Sequence, residues 1–290
     1  MCLIAIALDA HPSYSLILAA NRDEWYVRAT ASAGWWPDAP SIFGGRDLAA
    51  GGTWLGLTRQ GRLAALTNFR EPNAPAGTGR SRGELVSRCL MEPVPLDDYA
   101  TQVMAHGHDY AGFNLLLIDA AAGGSATWLS NRADGAGRSA MIRAPISAGV
   151  HGLANQLIDS DWPKVRLARG AMSATLLERQ AIDIEATLFG CLADRRVADD
   201  DALPETGVGL ERERQLSPPF IATPEYGTRA STVILVDRQG GVRFTEKSWH
   251  RRSAPGSASV AAMDGQDSRE WLLRERRSEF TITKNQGPVR

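Results

Sequence analysis

The sequence predicts an α+β fold of antiparallel hairpins and grouped helices, on three observations. Short apolar runs come in pairs split by turn residues, which is the pattern of hairpins. Helical patterns stand in blocks between strand blocks, unlike the regular alternation of a doubly wound parallel sheet. No internal repeat, Walker loop or GxGxxG occurs, and the glycine pairs read as turn positions.

Residues 2–8 and 14–20 are the first two apolar runs, joined through Asp9-Ala-His-Pro-Ser13, and read as a hairpin of two buried strands. Asn21-Arg22-Asp23-Glu24 closes the second strand, and residues 25–53 read as a loop rich in Gly, Pro and Trp. A clearer hairpin spans 53–58 and 62–67 around Arg59-Gln60-Gly61. Residues 70–81 are loop again, followed by helical patterns at 82–90 and at 96–105, the latter opened by Pro95. Strands are expected at 113–118, 126–129, 140–142 and 149–153, then helices at 161–178 and 181–192. The charged stretch 193–225 is too long for a structureless loop, so it is either functional or partly helical. A hairpin at 232–236 and 242–246 follows, and a closing strand is expected at 279–283. The Ala/Ser/Gly-rich segment 251–270 reads as a flexible surface excursion from a single domain covering 1–290.

Of 290 residues, 43% are hydrophobic and 22% charged, so the chain can bury a core without disulfide or metal staples. Basic and acidic residues balance to a net charge of -1, which argues against nucleic acid as a partner. No apolar stretch is long enough to span a membrane, and no basic leader precedes the first strand, so a cytoplasmic protein is expected. Cys2, Cys89 and Cys191 lie far apart without a CxxC pair, and the five histidines form no HExxH, so neither disulfide nor metal site is expected.

Four groups of residues could carry chemistry. Removal of Met1 would make Cys2 the first residue, and its α-amine, titrating near pH 8, would sit beside its own thiol. By position alone, a small apolar residue opening a buried strand is the plainer reading of Cys2. If 2–8 and 14–20 pair, Arg22 and Asp23 fall next to Cys2, where a guanidinium would depress the thiol pKa; a solvated Arg–Asp turn is the plainer reading. Asn68 and Asn155 each follow a strand, where a carboxamide could serve an oxyanion or simply end the strand. Arg229 precedes an apolar strand and could bind a carboxylate. Trp25, Tyr26, Trp35 and Trp36 could cap a pocket or pack beneath their loop.

Taken together, the motifs resemble the NRDE family, also called the transport and Golgi organisation protein family. The matching pieces are Met1-Cys2, Asn21-Arg-Asp-Glu24, Gly44-Gly-Arg-Asp47, Gly51-Gly-Thr-Trp-Leu-Gly56, Leu66-Thr-Asn-Phe69 and Arg82-Gly-Glu-Leu-Val86. Gly112-Phe-Asn-Leu115, Gly152-Leu-Ala-Asn155, Trp162-Pro-Lys164 and Tyr226-Gly-Thr-Arg229 continue the series, which runs in order over residues 1–246. The resemblance implies an N-terminal-nucleophile hydrolase fold, a four-layer α-β-β-α sandwich of two antiparallel sheets. Through the bile-salt hydrolase and penicillin V acylase group it also implies a cysteine amidohydrolase acting on a small-molecule amide, without cofactor. Its catalytic positions fall on Cys2, Arg22, Asp23, Asn68, Asn155 and Arg229, and its substrate-binding positions on Asn21, Glu24, Trp25 and Trp54. In those acylases the Arg and Asp are not adjacent, so Asp23 or Glu24 could hold the acidic role. Eukaryotic relatives are associated with haem handling, which leaves a non-catalytic carrier of haem or another apolar ligand as the alternative. A homo-oligomer stays open.

Overall fold

A computed structural model describes residues 2–72, 79–121, 123, 125–132, 140–251 and 271–283. In chain order the first strands are β1 (Cys2–Leu8), β2 (Tyr14–Trp25), β3 (Thr30–Trp36), β4 (Ala39–Asp47), β5 (Leu55–Thr58) and β6 (Arg62–Asn68). Helices α1 (Gly83–Met91) and α2 (Leu96–His106) follow, then β7 (Phe113–Asp119), β8 (Ser125–Ser130), β9 (Ile142–Ile146) and β10 (Gly149–Leu153). Helices α3 (Pro163–Thr175), α4 (Ala181–Leu192) and α5 (Leu210–Leu216) precede the last strands, β11 (Tyr226–Asp237), β12 (Gly241–Arg251) and β13 (Trp271–Thr281).

Every strand pairing is antiparallel. One sheet has the order β10-β1-β2-β11-β12-β13, and the other is a sequential meander from β3 to β9. The sequence of β1, Cys-Leu-Ile-Ala-Ile-Ala-Leu, lacks polar alternation because both of its faces are covered. Its even residues Ile4, Ile6 and Leu8, with Leu16 and Leu18 of β2, enter the core between the sheets. Its odd residues Leu3, Ala5 and Ala7 pack instead under Val165, Met172, Ile184 and Leu188 of α3 and α4. A third core lies on the far side of the meander, where Leu66, Leu115 and Leu117 meet Leu85, Val86 and Tyr99 of α1 and α2. The layers therefore stack α-β-β-α, the expected four-layer sandwich.

Local differences have physical causes. Residues 25–53, expected as loop, contain β3 and β4, and β2 itself runs on through the polar cluster to Trp25. The glycines there mark close approach instead of turns: a Cβ on Gly44 would sit 2.6 Å from the Leu55 carbonyl oxygen, and one on Gly45 would sit 2.3 Å from the Trp54 ring. The strand expected at 140–142 is β9, shifted toward the carboxyl end, and the closing strand is the longer β13. Within 193–225 the chain forms α5 and a 3-10 turn at Asp200–Ala202, so that stretch is partly helical. Residues 252–270 of the expected surface excursion lie outside the described residues.

Candidate active site

The antiparallel register of β1 and β2 sets Cys2 directly opposite Arg22. Consecutive strand residues point to opposite faces, so Arg22 and Asp23 flank the start of β1 from its two sides. On the inter-sheet side the Arg22 guanidinium stacks 4.2 Å above the Trp54 ring and donates to Thr30 Oγ1 at 3.0 Å and to Glu24 at 3.4 Å. On the helix side Asp23, only 2% exposed, accepts a hydrogen bond from Thr228 Oγ1 at 2.7 Å. β11 aligns Thr228 with Asp23 and Ala230 with Arg22, leaving Arg229 as the extra residue of a bulge.

That bulge turns Arg229 away from the nucleophile. Its Nη1 donates to the carbonyls of Trp25, Tyr26 and Arg28 at 3.1, 3.2 and 3.1 Å, holding the β2–β3 turn. Asn21 is likewise committed to the fold: its Nδ2 donates to the carbonyls of Leu192 and Pro219, both at 2.8 Å, and its Oδ1 accepts from Ser231. Asn155 donates from Nδ2 to the Asn68 carbonyl at 2.9 Å, and its own carbonyl accepts from the Arg70 N–H at 2.8 Å. Asn155 thus ties β10 to the end of β6, joining the two sheets behind the site. The Asn68 carboxamide, by contrast, makes no hydrogen bond to another described residue and lines the cavity.

That cavity has a volume of about 680 Å³ and brings together Cys2, Arg22, Asp23, Glu24, Trp25, Trp54 and Asn68. Asn21, Asn155 and Arg229 lie outside its lining. Of the three cysteines, Cys2 alone borders it; Cys89 is buried on the core face of α1 and Cys191 is half-buried on α4. Among the described residues no group of three or more His, Cys, Asp or Glu is placed to hold a metal ion.

Electrostatics correct one expectation. Arg22 and the Asp23 backbone N–H do favour the Cys2 thiolate, but burial outweighs them and pushes the thiol above its ordinary value. Burial also raises the Asp23 carboxyl, against the pull of Lys164, the Thr228 hydrogen bond and Arg22. A buried thiol beside a buried carboxyl is therefore held in the protonated form unless a base is supplied.

Sequence reasoning assigned no chemistry to Lys164. It is 2% exposed on the first turn of α3, and its Nζ donates to Asn155 Oδ1 at 3.2 Å. Burial, with the charge of Arg70 behind it, lowers the amine to about 8, while Asp23 and Cys2 pull it upward. Arg82, Arg212, Tyr226, the Arg28–Asp47 ion pair and Glu71, which pairs with Arg132, also stand at the cavity and went unassigned. Several of them sit in the motifs already quoted, and Lys164 is one of only three lysines in an arginine-rich chain; those were the available signals.

Residues 1–251 match the family described as Transport and Golgi organisation 2. The chain belongs to the Transport and Golgi organisation 2 family. Within this family it is 36% identical over 265 residues to the Transport and Golgi organization protein 2 homolog of Bos taurus, covering 86% of this chain and 93% of that protein. The Homo sapiens homolog is 34% identical over 264 residues, with the same shares covered. Among solved structures, the C2A mutant of conjugated bile acid hydrolase from Clostridium perfringens aligns with a TM-score of 0.48 at 7% identity, covering 98% of each chain. The family match ends at the last residue of β12, so β13 is an addition to the matched span. No helix among the described residues is long and apolar enough to cross a membrane.

Proposed function

We propose that the protein is a cysteine N-terminal-nucleophile amidohydrolase that cleaves an amide C–N bond of a small molecule. One observation carries this reading: Cys2, cross-strand from Arg22, borders a cavity of about 680 Å³ that Asn68 also lines. The raised thiol makes a base indispensable, and loss of Met1 supplies one in the α-amine of Cys2 itself. The sulfur attacks the carbonyl carbon while its proton passes to that amine and on to the leaving nitrogen. The C–N bond breaks to give a thioester and a free amine, and water then hydrolyses the thioester to an acid and the restored thiol. In this reading Asn68, which lines the same cavity, donates from Nδ2 to the developing oxyanion. Asp23 orients the terminal ammonium, and Arg22, fixed between Trp54 and Thr30, holds the field around the sulfur.

The alternative of a haem or apolar-ligand carrier finds less support. The described lining includes no His or Met, and its two groups with soft or phenolic ligand atoms, Cys2 and Tyr226, are both held protonated by burial. Five arginines and four carboxylates stand in the walls, which suits a polar substrate. The test is an amide-substrate screen on the purified protein and on Cys2→Ala, with intact mass to define the first residue. Turnover by a chain beginning at Cys2, absent from Cys2→Ala, is expected. Hydrolysis that survives Cys2→Ala, or that proceeds with Met1 in place, overturns the mechanism.

A further inference from the structure

We infer that the cavity selects amides bearing an acidic group, with Arg82 receiving the anion; this deepens the amidohydrolase reading and rests on it. The argument begins from which guanidinium groups in the lining already have counterions. Arg22 is paired to Glu24, Arg28 to Asp47 and Arg80 to Glu84. Arg82 has no carboxylate within salt-bridge distance among the described residues, and its Nη1 donates to the Gly112 carbonyl at 3.0 Å. A guanidinium carries five N–H donors, so this bond leaves most of them unspent at a residue that lines the cavity. The acids near Arg82 are spent elsewhere. Glu71 accepts from Arg132 and from the Gly112 N–H, both at 2.7 Å, and Glu24 serves Arg22 and the Trp25 N–H.

Arg82 is also held in place. It immediately precedes α1, whose first residue Gly83 packs so tightly on Gly52 that a Cβ on Gly52 would lie 2.6 Å from the Gly83 carbonyl carbon. Thr53 N–H donates to the Gly83 carbonyl at 3.2 Å, which pins the same junction to the meander. Arg82 and Cys2 line the same cavity, so an anion held by Arg82 shares that space with the bond that Cys2 attacks. A carboxylate matches the planar fork in a bidentate contact, whereas a neutral or cationic amide would leave a half-buried guanidinium without a counterion. Arg212, the other lining arginine lacking a carboxylate partner, bonds only Gln215 Oε1 among the described residues, at 3.1 Å, and adds to the positive wall.

Competing alkylation of Cys2 by iodoacetate and iodoacetamide tests this without any amide substrate. The ratio of the two rates, measured by peptide mass against the same ratio for glutathione, should favour iodoacetate at Cys2 by about tenfold, the worth of a charge-assisted hydrogen bond. N-acetylglycine should protect Cys2 saturably. Arg82→Gln should collapse the ratio to that of glutathione, and Arg82→Lys, which keeps the charge but loses the fork, should lie between. A ratio equal to glutathione's, or one unchanged in both variants, overturns the anion site while leaving the nucleophile reading standing. A Cys2 inert to both reagents overturns the nucleophile reading instead. The anion site is then decided by N-acetylglycine quenching of tryptophan fluorescence in Cys2→Ala: saturable binding lost with Arg82→Gln supports it, and no saturable binding refutes it.

Discussion

Glu213→Ala strikes a charge network that ties α5 to the floor of the site. The side chains of Arg70 and Glu213 are 5% and 4% exposed, and they meet through Arg70 Nη1. Glu213 also accepts from the N–H of Thr206 at 3.1 Å and from its hydroxyl. Alanine removes every one of these acceptors and strands the Arg70 guanidinium, already stacked 4.5 Å over Trp162, in a region that holds the Lys164 ammonium too. Removing one partner of a buried pair costs about 3–5 kcal/mol, because the survivor stays desolvated. With an unfolding entropy of about 2.1 cal/mol/K per residue over 290 residues, that cost lowers the melting temperature by about 5–8 °C. Differential scanning calorimetry at neutral pH reads it directly. The double variant Arg70→Met/Glu213→Leu, which removes both charges, should recover more than half of the loss. A melting temperature within about 1 °C of the parent for Glu213→Ala would refute the reasoning, since Arg70 would then be reaching water. A double variant no better than the single one would refute it as well.

Two further outcomes follow from the same geometry. The Lys164 amine is lowered from its ordinary 10.5 to about 8, so below pH 8 the folded protein bears the whole cost of a buried ammonium, and that cost vanishes as pH rises to 10.5. The parent should therefore gain about 3 kcal/mol on Lys164→Met between pH 7 and 10.5 in urea unfolding; a gap that ignores pH would contradict the assignment. Gly45→Ala should cost about 1–3 kcal/mol by driving a Cβ into the Trp54 ring and unseating Arg22, and should change the rate of Cys2 alkylation. Gly34→Ala, with nothing within 4 Å of the added Cβ, is the matched control; equal effects at the two positions would dismiss the Trp54 seat.

The hairpin of β1 and β2 was legible because its apolar runs are long, local and joined by turn residues, and register then follows from the turn. That register brought Arg22 opposite Cys2 across twenty residues of chain. The meander strands β3 and β4 were hidden because Gly44 and Gly45 look like turn glycines in a linear reading. Their reason for being glycine, the Leu55 backbone and the Trp54 ring, comes from neighbours across the sheet. The roles of the polar residues were still less visible. Asn21, Asn155 and Arg229 carry the same functional groups as Asn68 and Arg82, and only the folded partners reveal which carboxamides and guanidiniums the fold consumes.

The sequence by itself determined the layered α+β class, the family and the approach of Arg22 to Cys2, because apolar periodicity, turn chemistry and motif order are properties of neighbouring residues. Only the tertiary structure decided that burial would outweigh Arg22 at the Cys2 thiol, that Lys164 would be buried against Asn155, and that Arg82 would line the cavity without a carboxylate partner among the described residues. Those outcomes depend on desolvation and on partners brought together from distant strands and helices, and both come into being only when the layers close.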